Sequence, residues 1–304
     1  MSNKKRILVT GGTGFVGSNL VLKLFEEGHE VLITGHDAEN KPSGFKGKYL
    51  QPSFLGIDWD EIGKVDVVFH EAAINDTTLN DRKEMLRANV DSSKELFERV
   101  AKNGCKRIVY ASSTAVYGDA PVPFRENGNL NPLNVYGESK KMLDEFAMDF
   151  SQKNPDVIVV GLRYCNVYGP GESHKGKRAS MIYQLAQQMK TQDPKLFEFG
   201  EQKRDWIYVK DVVGANMLAA EAKESTIVNC GFGQAVSFNE IVAILNEAME
   251  VNRKPIYIKN PYEAAYQNFT FCDMTLAADK IGFKPKFDLK KGVQDYYQSG
   301  KLTA

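Results

Sequence analysis

The stretch RILVTGGTGFVGSN, residues 6 to 19, constrains the fold more than any other part of the chain. A short apolar run passes at once into glycines 11, 12, 14 and 17. Phe15, Val16, Leu20, Val21, Leu24 and Phe25 then follow at helical spacing over 14–27. A strand that turns through glycine directly into a helix gathers backbone amides at the positive end of the helix dipole, which suits an anion. Gly11, Gly14 and Gly17 fit a GxxGxxG spacing, while Gly12, Gly14 and Gly17 fit GxGxxG. Either register gives a tight turn and lets the backbone touch a pyrophosphate. A dinucleotide is therefore expected on Gly11, Thr13, Gly14, Phe15, Val16 and Gly17.

Similar runs recur as EVLIT (30–34), VDVVFH (65–70), RIVYAS (107–112) and VIVVGLR (157–163), with helical patterns over 82–102 and 134–153 between them. Short, nearly continuous β-branched runs are what strands buried on both faces look like, so the alternation predicts an α/β fold of Rossmann type, a doubly wound parallel sheet. After Arg163 the rhythm changes. The chain is expected to divide into an NAD(P)-binding domain over 1–165, to which about 204–236 returns through TIVNCGF (226–232), and a smaller C-terminal α/β substrate lobe from 166–203 and 237–304. The end of the second strand, where an acid would grip the ribose 2′-hydroxyl of NAD, is Gly35 in ITGHDAENK. With His36 and Lys41 close by, the cofactor is NAD(P) with a lean towards NADP, although Asp37 can still swing in.

Lysine plus arginine and aspartate plus glutamate number 39 each in 304 residues, so no general basic field exists for nucleic acid or an anionic membrane. The basic start MSNKKRILVT is broken by glycines before it is long enough for a signal peptide, and no stretch approaches a membrane span. A soluble, cytoplasmic protein is expected. The four cysteines are far apart and show no metal-ligand spacing, so no metal is expected.

Within the helix predicted over 134–153, Tyr136 and Lys140 stand at i and i+4 and project from one face. A lysine cation there can lower the pKa of the phenol and help it exchange a proton near neutrality. Upstream, the strand RIVYAS delivers Ser112, Ser113 and Thr114 to the carboxyl end of the sheet, where ligands of open α/β folds bind.

Together TGGTGFVG, HEAA, YASSTAVYG and YGESK resemble the extended short-chain dehydrogenase/reductase family of nucleotide-sugar enzymes, over nearly the whole chain. The resemblance implies that Tyr136 transfers the proton, that Lys140 also binds the nicotinamide ribose, and that Ser113 hydrogen-bonds the reacting oxygen. It implies that Ala72 and Ala73 of HEAA line the cofactor, and that Asn89 of RANV borders it in a chiefly structural role. It further implies a homo-oligomer meeting through 82–102 and 134–153. Thr114 and Ala115 stand where the family's dehydratases carry an acid pair, which disfavours dehydration.

Within that family, RYCNVYGPGESHKGKRAS, PLNVYGESK, PKLFEFG, KRDWIYVKDV and AYQNFT are similar to the ADP-glycero-manno-heptose 6-epimerases. The likeness implies Lys175 as a second acid/base, Asn166 beside substrate and nicotinamide, Arg204 on the nucleotide diphosphate, and Tyr266 and Gln267 as substrate contacts. Its departures are the missing second-strand acid, a short segment between 36 and 64, and Ala265 in place of an arginine. Two other readings compete. A UDP-hexose 4-epimerase would work with Ser113, Tyr136 and Lys140 alone; a non-catalytic dinucleotide sensor would need none of the three.

Overall fold

The computed structural model describes residues 4–36, 38–50, 59–77, 79, 81–260 and 269–304. The chain runs β1 (Arg6–Thr10), α1 (Phe15–Glu26), β2 (Glu30–Thr34), β3 (Lys48–Leu50), α2 (Trp59–Ile62) and β4 (Val67–His70). Next come α3 (Arg82–Leu86), a π-helical turn (Arg87–Asp91), α4 (Ser92–Lys102), β5 (Arg107–Ser113), α5 (Val135–Lys153) and β6 (Ile158–Tyr164). The remainder is β7 (Asn166–Tyr168), α6 (Met181–Met189), β8 (Lys195–Phe197), β9 (Lys203–Tyr208), α7 (Val209–Ala219), β10 (Thr226–Cys230), β11 (Ala235–Ser237), α8 (Phe238–Met249), β12 (Ile256–Ile258), α9 (Thr275–Ile281) and α10 (Leu289–Gln298).

All neighbouring strands of the seven-stranded sheet, ordered β10-β6-β5-β4-β1-β2-β3, pair in parallel. The five strands expected from apolar runs are all in it, and TIVNCGF does return to it as β10. On one face α1 and α7 bury Leu20, Val21, Leu24, Val212 and Ala215 with Val9 and Ile33. On the other, α4 and α5 bury Leu96, Phe97, Leu143 and Ala147 with Leu8 and Val68. A parallel sheet covered on both sides is the doubly wound arrangement that continuous apolar strands require.

A separate core joins β9, α6, α8 and α10 through Trp206, Tyr208, Leu185, Ile241 and Val293, and Phe15 at the start of α1 reaches into it. Here β9 pairs with β7 and β11 rather than with the main sheet. Among the described residues no helix is long and apolar enough to cross a membrane.

The helix expected over 82–102 is interrupted by the π turn, which carries Asn89. The Asn89 side chain accepts from Ile74 N at 2.8 Å and donates to Ile74 O at 2.9 Å and to Ser139 Oγ at 3.0 Å. It thereby ties the segment after β4 to α5. A wider turn at this point is a usual way to aim one side chain off the regular helical stripe.

Helix α5 is capped by Asn134, whose Oδ1 accepts from Gly137 N at 2.8 Å. Tyr136, Lys140 and Asp144, at i, i+4 and i+8, share its inner face. Asp144 Oδ2 accepts from Arg163 Nε at 2.9 Å and its Oδ1 from Tyr110 Oη at 2.9 Å. Arg163 Nη1 also donates to Tyr117 Oη at 2.9 Å, and Tyr117 donates to Asn229 Oδ1 at 2.7 Å. The pair is buried, with side-chain exposures of 4% for Arg163 and 2% for Asp144, so each charge is tolerable only through the other. Asp144→Ala strands the guanidinium in the core and is expected to lower the unfolding free energy by about 3–5 kcal/mol. Urea denaturation reads this as a lower midpoint; an unmoved midpoint would show the pair to be idle.

Candidate active site

The carboxyl ends of the central strands converge on a cavity of about 910 Å³. Gly11 adopts a φ of +67°, and a Cβ there would stand 2.7 Å from Ala72 N; a Cβ on Gly17 would stand 2.2 Å from Gly11 O. The turn closes through Gly14 N–H on Gly11 O at 2.8 Å, and Ser18 N–H donates back to Gly14 O at 2.8 Å. The amides between are first-turn donors without a preceding carbonyl, as an anion requires. Gly11, Thr13, Gly14, Phe15, Val16, Gly17, His36, Ala72, Ala73, Tyr136 and Lys140 all line the cavity. Asn89 does not; at 1% exposure it stands behind the wall and holds it.

The second-strand acid is missing, and a Cβ on Gly35 would lie 2.0 Å from Thr13 Oγ1, so a side chain there requires Thr13 to move. Lys41 sits 4.8 Å over the Tyr49 ring, and Tyr49 Oη donates to Gly35 O at 3.0 Å. Asp37 lies outside the described residues.

Ser113 ends β5, Tyr136 and Lys140 come from α5, and all three line the cavity. Tyr136 hydrogen-bonds with Ser113, whose Oγ also accepts from Ala115 N at 3.2 Å. Lys140 Nζ donates to Ala111 O at 2.7 Å and lies 6.0 Å from the Tyr136 ring centre. Burial brings the Lys140 ammonium down to about 8, against the opposing pull of Glu71 and Asp144. The phenol of Tyr136 departs from the expectation that the lysine would lower it. Burial raises it above its ordinary range and the charge on Glu71 adds to that, while only the Ser113 hydrogen bond works downward. Two buried polar atoms on the same wall, Ser112 Oγ and Trp206 Nε1, have no partner within the protein, which fits a polar ligand.

Glu71, the acid of HEAA, also lines the cavity, a place no sequence expectation gave it. Its carboxylate accepts from Tyr164 Oη at 2.8 Å, and burial pushes it up to about 7. The only clue in the sequence was an acid among apolar neighbours at a strand end.

Lys175 reaches the cavity from the 3₁₀ segment Ser173–Arg178, with its Nζ 5.3 Å over the Phe15 ring. Burial lowers its pKa, while Glu172 opposes the shift. Glu172 is fully buried and accepts from Gly169 N at 3.0 Å, Ser180 N at 2.5 Å and Ser180 Oγ at 3.0 Å, which fixes the loop on both sides of the lysine. Asn166 and His174 line the cavity, and Asn166 Nδ2 donates to Asp205 O at 2.8 Å. Arg204 lies on β9 away from the cavity lining, its Nη1 donating to Lys203 O at 3.0 Å. Ala265, Tyr266 and Gln267 lie outside the described residues.

Cys165, on the cavity wall, stands with its Sγ 2.6 Å from that of Cys272, 107 residues away, and with Asp205 the two make a group whose ligand atoms fall within 4.8 Å. Sequence spacing disclosed none of this. The Asp205 carboxylate accepts from Phe232 N, Gly233 N and Cys272 N at 2.8, 3.0 and 3.1 Å, so it already pins two backbone segments.

Known proteins place this arrangement. An ADP-L-glycero-D-manno-heptose-6-epimerase from Helicobacter pylori superposes with a TM-score of 0.89 at 37% identity, covering 97% of this chain and 96% of that one. A UDP-glucose 4-epimerase from Thermotoga maritima, solved with UDP-glucose, gives 0.87 at 27% identity over 97% and 99%. MoeE5, solved with UDP-glucuronic acid and NAD, gives 0.86 at 28% identity over 97% and 99%. The sequence profile described as the NAD dependent epimerase/dehydratase family matches residues 7–231, and the chain belongs to that family.

Proposed function

We propose that the chain is an NAD(P)-dependent nucleotide-sugar epimerase that oxidises a sugar carbinol to the ketone and restores it with the opposite configuration. We assign an ADP-glycero-manno-heptose as substrate and its C6 as the reacting carbon. The observation that carries the reading is that Ser113, Tyr136 and Lys140 meet on the wall of the cavity that the glycine turn opens into. The turn residues, His36, Ala72 and Ala73 would hold the dinucleotide, which when bound supplies the acceptor and donor of hydride.

Tyr136 Oη takes the carbinol proton as the carbonyl forms and gives it back as the alcohol is restored. Ser113 Oγ, already hydrogen-bonded with the phenol, orients the reacting oxygen. Lys140, whose Nζ lies 6.0 Å from the Tyr136 ring centre, would bind the nicotinamide ribose beside the phenol. Lys175 arrives from a different segment and offers a second proton donor, lowered towards neutrality by burial. The 37% identity to the heptose epimerase supports the choice of sugar. Asn166 and Tyr266 are assigned to the sugar and Arg204 to the diphosphate.

A UDP-hexose 4-epimerase is the second reading, favoured by the position of the Lys175 cation over Phe15 at the mouth of the glycine turn. That placement suits an anion ligand as well as an acid. A homo-oligomer meeting through α4 and α5, in the cytoplasm, belongs to either reading. The lean to NADP rests on glycine in place of an acid at position 35, with Gly35 and His36 on the cavity wall.

Incubation with ADP-D-glycero-D-manno-heptose is expected to give the C6 epimer by NMR; conversion of UDP-hexoses alone would hand the case to the second reading. Tyr136→Phe is expected to cut kcat by on the order of a hundredfold or more with cofactor binding retained, and full turnover would end the proposal. Lys175→Met is expected to lower kcat with little change in KM; a rise in KM alone would make Lys175 a phosphate ligand. Fluorescence titration is expected to show tighter binding of NADPH than NADH, and the reverse order would remove the NADP assignment.

A further inference from the structure

His70 ends β4 and takes no part in the proton transfers proposed above, yet it is buried, at 2% exposure, directly before the acid and alanines of the cavity wall. Strand β4 pairs with β1 so that His70 stands level with Thr10, the residue before the glycine turn. Side chains alternate along a strand, so the two follow Val68 and Leu8 to the face that α4 and α5 cover. There the imidazole meets the Phe97 ring edge-on, with centres 6.2 Å apart. Its Nδ1 lies 2.7 Å from Thr10 Oγ1 and its Nε2 lies 2.7 Å from Ser93 Oγ.

The protons in this row can be assigned one after another. The Ser93 hydroxyl donates to Asn89 O at 2.8 Å, because a carbonyl can only accept. The Ser93 oxygen is left to accept from the imidazole, so Nε2 of His70 carries an N–H. Burial, with the Lys140 charge adding to it, drives His70 down to about 3, and a neutral imidazole has a single N–H. Nδ1 is therefore bare and accepts from the Thr10 hydroxyl. Thr10 Oγ1 in turn accepts from Ala72 N at 3.4 Å. Every donor in the row points the same way, from Ala72 towards Asn89.

Both ends of the row reach the candidate active site. Ala72 lines the cavity, and a Cβ on Gly11 would stand 2.7 Å from its N, so the bond from Ala72 to Thr10 sets how the turn meets that wall. At the other end Asn89 Nδ2 donates to Ser139 Oγ at 3.0 Å, and Ser139 Oγ donates to Tyr136 O at 2.7 Å. Thr10, Ser93 and Ser139 are fully buried, so a partner lost here leaves a polar group unpaired away from water.

We propose that His70 is a positioning residue which, as the Nε2–H tautomer, ties the glycine turn and Ala72 to the π turn at Asn89 and through it to the helix that carries Tyr136. That the turn holds a dinucleotide rests on the reading above; the orientation of the ring does not. Only one tautomer completes the row. With the proton on Nδ1, the ring would face Ser93 Oγ with a bare nitrogen, and the one proton of Ser93 is already given to Asn89 O.

The test has two arms, both on the full-length protein. In the first, two-bond ¹H–¹⁵N correlation of ¹⁵N-histidine-labelled protein reads which ring nitrogen is protonated. His70 is identified by elimination through His29→Gln, His36→Gln and His174→Gln, so no change is made within the row. A protonated Nε2 and a bare Nδ1 are expected, unchanged between about pH 5 and pH 8. A proton on Nδ1 in that range, in either the other tautomer or the imidazolium, overturns the proposal. In the second arm Ser93→Ala removes the acceptor of the ring N–H. Ser93 does not line the cavity. Fluorescence titration of the folded variant is nevertheless expected to show NADPH and NADH binding roughly fivefold more weakly than to wild type, as the loss of one hydrogen bond implies. Wild-type affinity in folded Ser93→Ala overturns the positioning role. The tautomer needs neither cofactor nor sugar, so it decides the histidine's part even where the dinucleotide reading fails.

Discussion

One face of α5 organises the molecule. Tyr136, Lys140 and Asp144 succeed one another at intervals of four, and each reaches a different depth of the sheet. Asp144 meets the Arg163 guanidinium and the Tyr110 hydroxyl in the core, Lys140 meets the Ala111 carbonyl nearer the edge, and Tyr136 emerges at the cavity beside Ser113. Burying the Asp144–Arg163 pair gives little net stability in itself, because desolvation opposes the attraction. Its effect is geometric, since the helix cannot slide by a turn or rotate without stranding a charge. The phenol's position at the cavity follows from that lock.

Around this lock the wall is assembled from segments that polar side chains clamp one to another. Asn89 spans Ile74 and Ser139, Glu172 holds Gly169 and Ser180, and Asp205 holds Phe232, Gly233 and Cys272. Each is buried, and each satisfies backbone groups that would otherwise be costly to keep from water. The segment that carries Lys175 is thereby tied at both ends.

The parts of this that the sequence disclosed share a cause, which is that they are governed by local rules. Strands buried on both faces must be apolar throughout, a strand-to-helix turn at a phosphate must be glycine, and a pair on one helix face must be spaced by four. So the main sheet, the turn and Tyr136 with Lys140 were legible. β3 has three residues and no period to detect. Glu71 and the Cys165–Cys272 approach depend on partners 93 and 107 residues distant, which no local pattern encodes. Arg204 was placed on a diphosphate by the resemblance alone, and on its strand it is Trp206 that lines the cavity. The lysine's lowering of the phenol failed as an expectation because burial, invisible in the sequence, dominates it.

Two hydrophobic cores meet at the cavity, and they contribute unequally. The first, with its sheet and α5, brings Ser113, Tyr136 and Lys140; Lys175 lies outside it on a segment braced by Glu172, beside α6 and the second core. Mutational drift in that later segment leaves the buried lock untouched, whereas a change at Tyr110 or Arg163 disturbs it wherever the ligand sits. A substitution in the Lys175 segment can therefore reshape that side of the cavity without shifting the wall that carries Ser113, Tyr136 and Lys140.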